Sequence, residues 1–270
     1  LEEIARTKSE ILDYLPEDGL AILNGDNELV RDMASFARCN VVLVGTTDGC
    51  DLRAGNVRNE NGQMKFSVDG HEYAVHCPGT HLIISALATI AAAREFGMTS
   101  EEIATGLLEF LPVPGRCRAV PVGEWTLVDD TYNASPASMA AACETLKNWQ
   151  GAERRILITG DMLELGNHAK AYHEELGRQA AAAQLDGLIA IGPHSSDVLR
   201  AAREAGMAGG CLAQFDGTDI PEMMLDMWLD PGSVVLVKGS RGMQMEAVVE
   251  QIRDLAASKN APEETVRRAA

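Results

Sequence analysis

Arg155-Ile156-Leu157-Ile158-Thr159-Gly160-Asp161-Met162-Leu163-Glu164-Leu165-Gly166 is the stretch that decides the fold. A short apolar run stops abruptly at Gly-Asp, the pattern of a buried parallel strand meeting its loop. A helical stretch over 169–183 follows, then a second apolar run at 187–191. Working outward, strands at 119–128, 155–159, 187–191, 210–215 and 233–238 alternate with helices at 136–148, 169–183, 195–205, 219–229 and 243–257. That alternation predicts an α/β fold, a doubly wound and mostly parallel sheet with helices on both faces.

Leu111-Pro112-Val113-Pro114-Gly115 precedes this region and reads as a linker, because closely spaced prolines resist helix and central strand alike. Before it, 1–15 carries a helical apolar stripe ended by Pro16, and Leu20–Leu23 and Val41–Val44 read as short buried strands. A helix is expected from Asn24-Gly25-Asp26 through Ala37. Residues 52–76 alternate around turns at Asn61-Gly62 and Asp69-Gly70, the pattern of a meander. An Ala-rich helix over 81–96 ends at Gly97, and Thr99 or Ser100 caps the next one, with Glu101 and Glu102 in its first turn.

The 270 residues suffice for two domains, and 46% hydrophobic with 23% charged residues excludes wholesale disorder. No apolar run approaches the ~18 residues of a membrane span. The chain opens at Leu1, without Met or a basic leader, and reads as starting inside a domain. Its net charge of −17 is spread along the chain and repels phosphate backbones, so nucleic acid is not an expected partner. The six cysteines form no C-x-x-C pair and read as reduced thiols of a cytoplasmic protein. His71 and His76 face opposite sides of a strand, and His168 and His173 do not share a helical face, so histidine metal sites are not expected.

Four strand-end segments concentrate functional groups. In Val128-Asp129-Asp130-Thr131-Tyr132-Asn133-Ala134-Ser135-Pro136 a strand runs into two carboxylates, with Ser135 as N-cap and Pro136 at N1. On spacing alone, Asp130 and Asn133 read equally well as turn hydrogen bonders. Gly160-Asp161 with Glu164 forms the second segment. Val237-Lys238-Gly239-Ser240-Arg241-Gly242 suits an anionic group, and Pro114-Gly115-Arg116-Cys117-Arg118 places guanidiniums at the junction.

Together these segments resemble the Mur ligases. Residues 129–136, 160–166 and 237–241 stand in register with that family's Asp-Asp-Ser/Thr-Tyr-Asn-Ala-Asn-Pro, Gly-Asp-Met-x-Glu-Leu-Gly and Val-Lys-Gly-Ser-Arg motifs. The likeness is greatest to members that join D-alanyl-D-alanine to UDP-N-acetylmuramoyl-tripeptide. It implies that 1–112 is the C-terminal part of a central ATP-binding domain, 113–257 a complete Rossmann-like ligase domain, and 258–270 a flexible tail. It also implies ATP and Mg²⁺ as cofactors, an acyl-phosphate intermediate and a monomer.

Residue by residue, the resemblance makes Lys8 a carbamylated magnesium ligand, although an exposed helix lysine is the ordinary reading. Arg116 matches a γ-phosphate contact, Asp130 a ribose contact, and His81 opens the run that faces adenine. Lys8, Arg116 and Lys238 are then the catalytic set. Tyr132, Asn133, Asp161, Glu164, Lys238, Ser240 and Arg241 are expected to hold substrate. Leu82 and Ser85 depart from the family, standing where it has asparagines, and no Gly-Lys dipeptide occurs anywhere. The resemblance implies a Gly-rich loop ending in Gly-Lys-Thr that holds the ATP phosphates, and without it the chain alone is expected to be catalytically silent. Two other readings stay open: another ligase of the superfamily, of folylpolyglutamate or cyanophycin type, and a non-catalytic binding module.

Overall fold

The computed structural model describes residues 2–60 and 62–260, with the side chain of residue 260 left out. The chain divides into two compact units, Leu1–His76 with Thr80–Phe110, and Cys77–Gly79 with Leu111–Ala270.

In the first unit, α1 (Glu2–Ser9) tightens into a 3₁₀ turn over Glu10–Tyr14 ahead of Pro16, so the expected 1–15 helix is a composite. β1 (Leu20–Asn24), β2 (Asn40–Gly45) and β3 (Leu52–Arg53) form a parallel sheet in that order. The helix expected from Asp26 is shorter: α2 (Glu28–Asp32) starts where the Asn27 side chain accepts the Val30 N–H, and a 3₁₀ turn over Met33–Phe36 ends it. β4 (Gly55–Glu60), β5 (Gln63–Val68) and β6 (His71–Val75) make the antiparallel meander. Its second turn has positive φ at both Asp69 and Gly70, the geometry that matches strand twist; Asn61 of the first lies outside the described residues. α3 (Ile83–Glu95) is followed by α4 (Ser100–Glu109), which Thr99 and Glu102 start with a reciprocal capping box.

The second unit contains β7 (Arg118–Val122), β8 (Trp125–Asp130), α5 (Pro136–Lys147), β9 (Arg155–Gly160), α6 (Ala169–Ala182), β10 (Gly187–Ile191), α7 (Ser195–Glu204), β11 (Leu212–Phe215), α8 (Glu222–Trp228), β12 (Val234–Lys238) and α9 (Glu246–Asn260). The strand expected over 119–128 is two strands. Gly123, at φ +59°, turns the chain back, and β7 pairs antiparallel with β8. Pro121 is tolerated there because β7 is an edge strand. The tail expected from 258 is helical through Asn260, and 261–270 lie outside the described residues.

The sheet runs β11-β10-β9-β12-β8-β7, parallel except at β7. Ile156, Ile158, Ile189, Val235 and Val237 pack on one face with Leu225 and Trp228 of α8 and Val248 and Ile252 of α9. Leu157, Leu188 and Leu236 alternate to the other face and are equally buried. The last strand, β12, enters between β8 and β9. Connections therefore leave the neighbouring C-terminal strand ends in opposite directions, which is where open α/β sheets place ligands.

Candidate functional site at the strand ends

The C-terminal ends of β8, β12 and β9 bring together the loops 129–135, 238–242 and 160–166. Lys238 is the strut between the first two. Its Nζ donates to Asp130 Oδ2 at 2.7 Å and to the Asn133 carbonyl at 2.8 Å. The side chains of the pair are 3% and 16% exposed, so the charges meet largely away from water. Ser240 ties the third loop in. Its N–H donates to the Asp161 carbonyl at 3.1 Å, and its hydroxyl accepts the Leu163 N–H at 2.9 Å.

A second lock holds the junction segment. Asp129, buried, accepts the Gly115 N–H at 3.0 Å with one oxygen and the Thr131 hydroxyl at 2.7 Å with the other. Asp130 Oδ1 accepts the Cys117 N–H at 3.0 Å, and the Tyr132 N–H donates to the Gly115 carbonyl at 3.0 Å. Gly115 sits at φ +80° with Tyr132 N 3.3 Å from where a Cβ would lie, so this close zippering favours glycine. The segment delivers Arg116, whose guanidinium carbon stacks 3.7 Å from the centroid of the half-exposed Tyr132 ring.

Asp161 lies under the third loop, buried, with both oxygens accepting the His194 N–H at 3.2–3.3 Å. Gly192 allows that approach: a Cβ there would meet Asp161 Cγ at 2.9 Å. Burial raises the Asp161 carboxyl above the ordinary 3.8 and, against the hydrogen bond to Ala169 and the Asp161 charge, holds the buried His173 imidazole below 6.5.

The residues singled out by sequence thus fall into distinct groups. Asp130, Asp161, Lys238 and Ser240 are tied into the interlocked loops. Arg116, Tyr132, Asn133, Glu164 and Arg241 are exposed around them, with Arg241 paired to Glu246 at 3.0 Å. Lys8 and His81 belong to the first unit, each exposed. The sequence reading missed Asp129 as a lock, and it missed His173 and His194 altogether as parts of this site. The Gly192-Pro193-His194 break after a buried strand was the available signal.

The profile of the Mur ligase middle domain matches residues 1–93, and that of the Mur ligase glutamate ligase domain matches 115–241. The chain belongs to the Mur ligase family. The UDP-N-acetylmuramoyl-tripeptide–D-alanyl-D-alanine ligase of Escherichia coli (strain K12) is 32% identical over 94% of this chain and 56% of its own length. The ligase of the same name from Bacillus subtilis (strain 168) is 29% identical over 93% of the chain and 55% of its own. A crystal structure of MurF from Acinetobacter baumannii superposes with a TM-score of 0.79 at 26% identity, covering 93% of this chain and 55% of that one. The MurF ligase of Thermotoga maritima, solved in complex with ADP, gives 0.76 at 26% identity, covering 96% and 58%. This Mur ligase chain spans about half the length of the curated relatives it matches. Among its described residues no helix is long and apolar enough to cross a membrane.

Proposed function

We propose that this chain is the part of an ATP-dependent ligase that joins D-alanyl-D-alanine to UDP-N-acetylmuramoyl-tripeptide through an acyl phosphate, acting as a cytoplasmic monomer. Residues 113–257 are the Rossmann-like ligase domain in this reading, and 1–112 contribute to the ATP-binding domain. What supports it is the convergence of the three family segments at one end of one sheet, cross-linked by Lys238 and Ser240. Lys238 holds the β8 and β12 ends in register, and Arg116, oriented by Tyr132, offers a cation to an anionic oxygen. Tyr132, Asn133, Glu164 and Arg241 surround the incoming dipeptide, whose carboxylate and ammonium call for groups of both signs.

The nucleotide side is assigned less to this chain. The sequence contains no Gly-Lys loop to cradle a triphosphate, and Leu82 offers no side-chain amide at the start of α3. Among the described residues no cluster of three His, Cys, Asp or Glu side chains is placed to hold a metal, and Lys8 is an exposed side chain of α1. His81 and Asp130 take their nucleotide-facing roles only where a phosphate loop is supplied.

The test is an NMR titration of the ¹⁵N-labelled chain with D-alanyl-D-alanine, with L-alanyl-L-alanine and ATP-Mg²⁺ as comparisons. The D-dipeptide is expected to shift amides in 160–166 and 238–242 at millimolar concentration, and ATP-Mg²⁺ to bind negligibly. Equal shifts from the L-dipeptide, or none in these loops, would remove the substrate assignment.

A further inference from the structure

His173 lies on α6, yet its ring is 1% exposed and bridges its own helix to the loop that leaves β9. Nδ1 sits 2.7 Å from the Ala169 carbonyl, and Nε2 sits 3.0 Å from the Met162 N–H. A carbonyl only accepts and an amide only donates, so these partners fix one tautomer: Nδ1 carries the proton and Nε2 is the acceptor. A second proton on the ring must go to Nε2, where it would face the Met162 N–H donor to donor. Asp161 Oδ1, 3.6 Å from the same nitrogen, is the alternative partner.

We infer that His173 is the positioning residue of the Gly160–Gly166 loop, holding it through the Met162 N–H when neutral and releasing it to Asp161 when protonated. Its importance for substrate rests on the proposed reading of that loop.

The surrounding charges shape this exchange. From the end of β9, Asp161 favours a cation, while the ring of His194, ahead of α7, stacks on His173 at 4.5 Å and opposes a second positive charge when itself protonated. His194 Nδ1 meets Asp197 Oδ2 of α7 at 3.3 Å, and Asp197 is flanked by Arg200 of α7 at 3.3 Å and Lys170 of α6 at 4.0 Å. Glu174 of α6 is taken up by Arg200 at 2.6 Å. Asp161 is thus the carboxylate within reach of His173, and protonation swaps a loop amide for a side chain. Burial keeps the folded imidazole below its ordinary 6.5, so the neutral, loop-holding form outlasts that value; its hold weakens as pH falls from 6.5 and is lost at the lower folded value.

The experiment is amide hydrogen exchange by NMR on the intact chain from about pH 7.5 to about pH 5, expressed as protection and referenced to Ile189 in β10. Protection of Met162 is expected to fall by up to about tenfold per pH unit as pH drops from the ordinary 6.5 toward the lowered folded value, while Ile189 holds. In His173→Gln the amide oxygen can still accept from Met162 but does not titrate, so protection should survive and lose its pH dependence. His173→Leu should lose about tenfold protection at every pH. A flat Met162 profile in the wild-type chain, or an unchanged slope in His173→Gln, would overturn the inference. Adding D-alanyl-D-alanine at both pH extremes separates the two readings: a pH-linked loop that ignores the dipeptide keeps the latch and removes the substrate assignment.

Discussion

The two units build parallel strands to very different standards. β10 and β12 in the second unit are buried at every position. β1 and β2 in the first are mostly half-buried, and Leu12, Ala21 and Met33 form the small cluster beside them. A parallel strand needs neighbours on both edges and layers on both faces. β12 has all four: β8 and β9 at its edges, α9 against one face and α5 against the other. Among the described residues β1 pairs on one edge, with β2. The same kind of apolar run therefore yields a fully buried scaffold in one unit and a lightly covered sheet in the other. The interlocked loops stand on the buried one.

Limited proteolysis tests that contrast most severely. The second unit is expected to survive as a resistant fragment starting near Arg116, while 1–110 is digested; survival of the first unit alone would reverse the comparison. Next, Leu236→Ala in β12 should cost about 3–5 kcal/mol, against about 1 kcal/mol for Val42→Ala in β2, by urea unfolding. Equal costs would mean that strand coverage does not separate the units.

A smaller effect is expected at the strut. Lys238→Met leaves the Asp130 carboxylate without its buried cation and should destabilise the second unit by about 3 kcal/mol. Lys238→Met with Asp130→Asn should recover part of this in a double-mutant cycle. No recovery would show that the pair acts independently.

The smallest effect belongs to the first unit's own strand-end lock. Asp26 accepts the N–H groups of Thr46 and Thr47 at 2.9 Å and their hydroxyls at 2.9 and 2.7 Å. Burial is the largest single influence and raises its carboxyl, but these hydrogen bonds together outweigh it and bring it down to about 2. A lowered folded value means stability that is full above the unfolded 3.8 and lost as pH falls through about 2. The Tm gap between the chain and Asp26→Asn should accordingly close over that interval. A constant gap would detach the lock from the carboxylate's charge.

Local signals made much of this legible in advance. Ser135 and Pro136 announced the start of α5, Thr99 with Glu102 that of α4, and apolar runs at 155–159, 187–191 and 233–238 marked the central strands. The hairpin inside 119–128 was not seen, because Gly123 interrupts a run whose apolar residues continue on both sides. In the site, the residue types of the three segments were readable, whereas their division into interlocked and exposed groups was not.

By itself the sequence determined the periodicities, the caps and the three strand-end segments, since each depends on residues within a few positions of one another. Only the tertiary structure decided that β12 lies between β8 and β9, which puts Lys238 against Asp130 across 108 positions of chain. It alone turned His173, an ordinary helix residue in the one-dimensional pattern, into the buried partner of Met162. The physical reason is common to both. A polar side chain's role follows from which donors and acceptors meet it once water is excluded, and that encounter is set by strand order and helix packing.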